Sequence, residues 1–489
     1  QYYKNIFDPS TGFMRPKLNG AWLTPFDPTK IDWHFTEANS WHYSFYVPQD
    51  IGGLSALHGG KKNLGLKIDE LFESTRAITG RDMKDVTGLI GQYAHGNEPS
   101  HHMAYLYNFV NQPWKTQYRV RQIMDSLYSH RPDGLSGNED CGQMSAWLIM
   151  SAMGFYPVTP GLPEYAIGTP WFPEMEIHLE NGRIFRVTAS NVSERNFYIQ
   201  SATLNEEMYS RSWITHQAVM EGGHLHFEMG SRPNKDWGSD DKDAPSAVIE
   251  DALILPVPFF EAEDRRIRDK QEVAIKGILP GTRIYYTLDG TSPDRQSTPY
   301  LHPLSLEQTT TLKAIGYHEG FGYSFPVTAG FVKMDLDKSV QLTYPYHPNY
   351  HGGGPEALID GVRGSANWRL GGWHGYQNSD FEAVVDLGRE QRVKYLGAGF
   401  IQDIRSWIWM PVDVAFFVST DGETFKHAGS VVHGVASDDY SLVQKDVGIR
   451  LDATARYIKV RAGNFGTIPD WHLGAGGQAF IFVDEIVIE

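Results

Sequence analysis

The sequence predicts a multidomain α + β protein, helical at its start and all-β towards its end. Three observations carry this. Residues 1–155 hold repeated apolar patterns of helical period with little strand signal. From Pro157 onward the pattern changes to short alternating strands separated by turn clusters. A length of 489 residues corresponds to about three domains.

In chain order, Asn5–Met14 and Trp22–Pro28 read as irregular loops. Helices are expected over 39–47, 49–59, 63–76, 99–110, 113–129 and 142–153. Repeated helices joined by loops suggest a toroid of helix pairs. Half a dozen helices are too few to close a six-pair toroid, so the N-terminal half of such a domain is expected to be missing. Residues 156–237 are the β-rich end of this unit, with strands at Glu176–Leu179, Ile184–Thr188 and Phe197–Gln200. The polar stretch after Ser231 reads as a linker, taken as 238–255. Residues 256–335 form a small β-domain centred on a strand that runs into the Asp289-Gly290 turn. Residues 338–489 carry the many short strands of a β-sandwich.

Composition narrows the function. The net charge of −16 argues against a nucleic-acid backbone as partner and against anionic lipid. It suits a neutral ligand or a divalent cation held by carboxylates. Aromatic residues make up 13%, enough to line sugar-binding surfaces as well as a large core. The single cysteine, Cys141, permits no intrachain disulfide. No apolar run is long enough to span a membrane. The chain begins Gln-Tyr-Tyr-Lys without a methionine and reads as an internal or processed start.

Three loop-to-helix junctions carry acids. Phe35-Thr-Glu-Ala-Asn-Ser-Trp-His-Tyr43 offers Glu37 with Trp41 one turn later. An aromatic wall there would partly desolvate the carboxyl and favour its protonated form, which suits a general acid. Gly91-Gln-Tyr-Ala-His-Gly-Asn-Glu-Pro-Ser-His-His102 offers Asn97 and Glu98 in the loop before Pro99, hard oxygen donors suited to Ca²⁺. Zinc is disfavoured: His95, His101 and His102 lack HExxH spacing, and neighbouring helix residues diverge by about 100°. Gly134–Trp147 offers Asn138, Glu139 and Asp140 before an apolar helix. Asp140 would serve equally as the cap of that helix, and Glu37 as the cap of its own. Two carboxyls facing across a sugar are what glycoside hydrolysis requires.

These stretches, with Gly154-Phe-Tyr-Pro-Val158, resemble the signatures of glycoside hydrolase family 92, calcium-dependent inverting exo-α-mannosidases. The resemblance covers residues 1 to about 237 and implies part of an (α/α)6 barrel with an associated β-sandwich. It implies Glu37 as general acid, Asp140 as general base, and Asn97 and Glu98 in the calcium motif. Trp41, His101, His102 and Glu139 become substrate-binding residues. An inverting pair should stand about 6.5–9.5 Å apart. Where the family commonly has Asp-Glu-Asp, this chain has Asn138-Glu139-Asp140, leaving Asn138 to orient water. The family's upstream half is absent from the chain, so an incomplete sugar pocket is expected, completed by that half or by a second chain.

Tyr285-Tyr-Thr-Leu-Asp-Gly-Thr-Ser-Pro293 resembles the small Ig-like domain at the C-terminus of some hexosaminidases. Ala357–Gly361, Phe381–Gly388, Val418–Gly422, Ala455–Arg461 and Asp484–Ile488 resemble a discoidin-type β-sandwich jelly roll, similar to family 32 carbohydrate-binding modules. That resemblance implies a structural calcium at Asp360 and Glu485. It also implies sugar-facing aromatics among Trp368, Trp373, Trp407, Trp409 and Trp471, with His374, about half of the indoles being expected in the core. The expected protein is a bacterial periplasmic, cell-surface or secreted α-mannosidase acting on mannose-containing oligosaccharides or glycoprotein glycans. The rival is a non-catalytic carbohydrate-binding or scaffold protein.

Overall fold

The computed structural model describes residues 1–335 and 337–489. The first region packs helices α1 (Ser40–Phe45), α2 (Ile51–Leu57), α3 (Lys61–Glu73), α4 (Leu106–Phe109), α5 (Pro113–Leu127) and α6 (Gln143–Met153) around one core. Phe45, Tyr93, Tyr105, Tyr107 and Trp147 are completely buried there. The helix expected over 99–110 is instead two 3-10 turns, Glu98–Ser100 and Met103–Tyr105, followed by the short α4. Glu98 therefore begins the first turn rather than preceding it. Helix α6 is bounded by left-handed glycines, Gly142 (φ 95°) and Gly154 (φ 100°). A side chain is unfavourable at both positions, which fixes both ends of the helix.

Two sheets follow on a shared core that includes Phe155, Ile167, Phe185, Leu225 and Phe227. The larger runs Glu174–His178, Ile184–Ser190, Gly223–Gly230, Tyr198–Leu204, Glu207–Met208 in spatial order. The smaller runs Trp213–Thr215, Glu164–Ile167, Phe155–Tyr156.

Residues 238–255 contain no helix or strand, yet they are a strap rather than a loose linker. The Ser212 N–H donates to the Asp243 carbonyl at 2.8 Å, the Gly52 N–H to the Ala247 carbonyl at 2.9 Å, and the Ile249 N–H to Asp50 Oδ1 at 3.1 Å. Ala247 is buried in the helical core. The polar composition that read as solvated is used to satisfy backbone groups of its neighbours.

The small β-domain takes a piece from the far end of the chain. Its first sheet runs Leu304–Leu306, Gln271–Lys276, Phe259–Ala262, Ala21–Trp22, Lys17–Leu18. Phe260 pairs with Ala21 in parallel, and Asn19 exchanges two hydrogen bonds with the backbone of Gly330, at 2.9 and 2.8 Å. Residues 17–22, expected to belong to the helical unit, thus lie in this sheet. Register there is set by a pairing across more than two hundred residues, which no local pattern reports. The second sheet is built on Val327–Lys333, Thr310–His318 and Arg283–Thr287.

The C-terminal module orders its strands His374–Gln377, Phe480–Ile488, Phe381–Gln402, Val443–Ala462, Val414–Ser419, Lys426–Val431, with Ser339–Leu342 against Phe381–Gln402. Register breaks between Asp386 and Gln391 and between Val393 and Tyr395 interrupt the longest pair. Such breaks bend and twist strands, and the side chains of the whole sheet close on one core. A second small cluster, Trp368, Trp373, Ile401, Ile408 and Phe482, receives Trp33 from the helical region.

Candidate active site

Glu37 lies on the turn before α1, exposed, with φ at +56°. The capping duty at this helix belongs to Asn39, whose Oδ1 accepts the His42 N–H at 3.3 Å. Asn39 is fully buried and its amide also reaches the Thr29 carbonyl and Gln92 Oε1. His42 Nε2 donates to the Gln92 carbonyl at 2.7 Å, and burial drives the imidazole pKa down to about 4, so it stays neutral. Among the described residues no side-chain hydrogen bond engages Glu37.

Trp41 is not the wall beside Glu37, nor is it placed to touch a sugar. It is buried, edge-on to Phe13 at 4.6 Å and 4.7 Å from the Lys67 ammonium. Helical period put it on the inward face of α1, where core packing claimed it. The aromatic companion of Glu37 is Tyr43, stacked on Phe35 at 5.1 Å and donating its hydroxyl to the Thr36 carbonyl at 3.0 Å. Burial, and then the Glu37 charge, raise the Tyr43 pKa.

Asp140 is exposed with φ at +55°, followed by Cys141 at +57° and Gly142 at +95°. Left-handed residues in succession cost of order 1–3 kcal/mol each outside glycine. The helix is capped by Glu139, whose carboxylate accepts the Gly142 N–H and, at 3.0 Å, the Ser145 N–H. The Ser145 and Gly142 bonds pull the Glu139 pKa down. Glu139 thereby caps α6. Asp140, like Glu37, is left without a side-chain hydrogen bond among the described residues. Asn138 is exposed and donates to Asp85 Oδ1 at 3.4 Å.

The two histidines hold the loops together. His101 Nε2 donates to the His95 carbonyl at 2.9 Å while its Nδ1 accepts from Gln143 at 3.1 Å. His102 Nε2 donates to the Phe45 carbonyl at 2.8 Å. Burial lowers both pKa values, that of His102 to about 4. His95 lies deeper, between the Tyr93 and Tyr128 hydroxyls at 2.8 and 2.6 Å. The His95 carbonyl, and then the charges of Glu98 and Asp140, partly offset the effect of burial on His101. On the other side an aromatic row, Tyr43 to Tyr46 (6.1 Å) to His102 (5.9 Å), leads back to Glu37. Asn97 is buried and Glu98 exposed. Together they supply hard oxygens. Among the described residues no three His, Cys, Asp or Glu side chains stand close enough to hold a metal alone. Glu37, Glu98 and Asp140 are each exposed, and a cavity of about 580 Å³ lined by Trp22, Glu261 and Glu272 does not include them.

In the C-terminal module Asp360 and Glu485 come together and are buried. The Gly361 N–H donates to both Glu485 oxygens at 3.2 Å, and burial, then Asp360, push Glu485 up to about 8. Trp368, Trp373 and Trp409 belong to the core, with their indole N–H groups bonded inside to Asp403, Ser365 and Ser437. They are not sugar-facing, and neither is the buried His374. Trp407 (39% exposed) and Trp471 (49%) are at the surface, with Tyr440 beside Trp471 at 6.4 Å. Tyr440 and Tyr43 were given no role from the sequence; Tyr43 closes the Phe35–Tyr43 stretch, Tyr440 lies outside the quoted stretches, and only their neighbours mark them.

Residues 1–231 match the glycosyl hydrolase family 92 catalytic domain, and residues 265–328 the chitobiase/beta-hexosaminidase C-terminal domain. An uncharacterized secreted glycosidase of Arthroderma benhamiae is 30% identical over 253 residues, 48% of this chain and 30% of its own. A family GH92 alpha-mannosidase from Bacteroides thetaiotaomicron is 39% identical across 50% of this chain and 32% of its own, with a TM-score of 0.46. A family GH92 inverting mannosidase from the same organism is 40% identical across 50% and 35%, with a TM-score of 0.45. A CBM32 module from Clostridium perfringens, solved with GalNAc-beta-1,3-galactose, is 16% identical across 31% of this chain and 95% of its own, with a TM-score of 0.21. The chain spans about a third of the length of the relatives matched by its first half. Over residues 1–231 the chain is thus similar to the glycosyl hydrolase family 92 catalytic domain.

Proposed function

We propose that this chain carries the acid, base and metal positions of a calcium-dependent, inverting exo-α-mannosidase acting on extracellular glycans. One observation supports it above the rest. Glu37 and Asp140 are exposed carboxylates on backbone held at positive φ, and neighbouring residues, Asn39 and Glu139, have taken over the capping work each could have done. Backbone strain at exposed acids that make no side-chain bond supports a functional reading of the two loops.

In the proposed reaction Glu37 gives its proton to the glycosidic oxygen as that bond breaks. Asp140 takes a proton from the water that attacks the anomeric carbon from the opposite face, and the configuration inverts. The Asn138 amide orients that water. His101, neutral and fixed by Gln143, holds the Asp140 loop against the Glu98 loop. Asn97 and Glu98 would hold Ca²⁺, with water and sugar hydroxyls completing the six to eight oxygens it takes. When bound, the ion would supply positive charge at the sugar hydroxyls and favour ring distortion. Among the described residues no helix is long and apolar enough to cross a membrane, and the Arthroderma relative is a secreted protein. Both agree with an extracellular glycan as substrate.

The solvent exposure of both acids favours a second reading, a glycan-binding protein without turnover. The test is mannose release from α-linked mannobioses with Ca²⁺ and after EDTA, with the anomers followed by proton NMR. Calcium-dependent release with β-mannose appearing first is expected. α-Mannose first would overturn inversion, and release unaffected by EDTA would overturn the metal. Binding without release would favour the second reading.

A further inference from the structure

We propose that the C-terminal module forms the leaving-group side of the catalytic groove, with Arg369 and Trp407 receiving the sugars beyond the cleaved bond. The inference rests on reading Glu37 as the general acid. A general acid must touch the leaving-group oxygen, so the rest of the glycan departs past the loop that carries it. That loop is where the C-terminal module docks.

Trp33, four residues before Glu37, leaves the helical core and packs edge-on against Trp368 at 5.7 Å. The Arg81 guanidinium lies over Trp33 at 3.3 Å from the ring centroid. Arg369 lies 4.2 Å from the Trp368 ring and 5.7 Å from Trp33. Cation–π stacking on a shared indole ties the acid loop to the module from both sides. The tie continues in polar contacts. Arg369 donates to Ser406 Oγ at 3.1 Å, Ser406 donates to Asp403 at 2.9 Å, and the Trp368 indole donates to the same Asp403 oxygen at 3.0 Å.

The next residue is Trp407, 39% exposed, with φ at +64°. A bulky residue in this conformation is a genuine outlier, and the surroundings fix it. Its ring lies on Gly474 and Gly477; a Cβ at Gly474 would come 2.6 Å from the indole nitrogen. Trp407 is thus a rigid, solvent-facing indole, suited to stack on the C–H face of a pyranose. The exposed Arg369 beside it carries guanidinium N–H donors for hydroxyls. The substrate class this implies is an α-mannosyl oligosaccharide with at least two further sugars, in preference to a small mannoside.

Hydrogen–deuterium exchange on the full chain, carrying Asp140→Asn so that sugar persists, tests this with methyl α-mannoside and a linear α-mannotriose in Ca²⁺. Methyl α-mannoside should slow exchange at 95–102 and 136–142. The trisaccharide should extend protection to 30–37 and 403–409 at the same half-saturation. Adding Arg369→Ala or Trp407→Ala should weaken the trisaccharide about tenfold and methyl α-mannoside less than about twofold. Protection of 403–409 with its own separate half-saturation would overturn the inference, as would protection of 136–142 that never reaches 403–409. Silence at 136–142 with both sugars would instead overturn the mannosidase reading on which it rests.

Discussion

Glu37 and Asp140 are exposed, unbonded and on strained backbone; Asp360, Asp484 and Glu485 are buried and bonded. The second group is occupied: Asp360 accepts the Val362 N–H, Asp484 takes Arg363 and the Gly364 N–H, and Glu485 takes the Gly361 N–H. Two sets of carboxylates, alike as residue types, therefore do different work. The first makes no side-chain hydrogen bond among the described residues and faces solvent. The second is held by its surroundings, with Glu485 keeping its proton to about 8 because burial penalises its charge. Being spare, more than being acidic, marks the candidate catalytic pair.

The sharpest way to break the comparison is to neutralise one acid from each set. Glu37→Gln and Asp140→Asn should each lower turnover on α-mannobiose by about 10²–10⁴-fold with folding intact. Glu37→Gln should be milder on a substrate with a good leaving group, since less protonation is then needed. Equal loss on both substrates would count against the acid role. Glu485→Gln should leave turnover on a small mannoside almost untouched.

A comparison of indoles gives the next effect. Trp373→Ala empties a fully packed site and should cost about 3–5 kcal/mol in urea unfolding of the module. Trp407→Ala removes surface and should cost about 1 kcal/mol. Similar losses at the two positions would mean that Trp407 is a packing residue and not a platform.

Acidity should also separate the regions. Burial holds His42, His58 and His102 at about 4 against an ordinary 6.5, so each is neutral in the folded helical region. Their contribution is complete above about 6.5 and lost as the pH falls towards 4. Glu485 runs the other way: raised to about 8 from an ordinary 4.5, it contributes most below 4.5 and loses that as the pH rises through 8. His374, also held near 4, adds an acid decline to the module. Segment-resolved exchange in EDTA should show protection of residues 40–128 falling from pH 7 to 5. Glu485→Gln should reduce the module's decline as the pH rises from about 4.5 to 8, leaving the share of Asp360 and Asp484, whose pKa values burial also raises, and the acid decline in place.

The smallest effect is local. Asn39→Ala should cost about 1 kcal/mol in stability. It should also lower kcat more than it raises KM, because α1 then starts less firmly beneath Glu37. An unchanged kcat would separate the cap from the acid.

Much of this was legible in the chain. The glycines and acids at 134–142 announced a loop meeting a helix, and helical period placed α3, α5 and α6 within two or three residues. Strands at Ile184–Ser190 and Arg283–Thr287 followed from alternation and turn chemistry. Which residue caps each helix was not legible: Asn39 and Glu139 compete with Glu37 and Asp140 within three residues, and only side-chain geometry separates them. Nor were the tryptophans. Trp407 and Trp409 are two apart, which would put both on one face of an extended segment; the left-handed backbone at Trp407, after a 3-10 turn, breaks that alternation and leaves one indole exposed and the other buried.

The sequence by itself determined the chemistry on offer and the local elements that carry it, because caps, turns and periodicity act over a few residues. The tertiary structure decided which acids are spare, which indoles see solvent, and that strands 17–22 complete a sheet whose other strands lie beyond residue 258. It also decided that Trp33 joins the C-terminal module to the acid loop. These outcomes depend on burial and on pairings hundreds of residues apart. Both are properties of the packed whole, since the free energy of a buried charge or a closed sheet edge has no local counterpart in the chain.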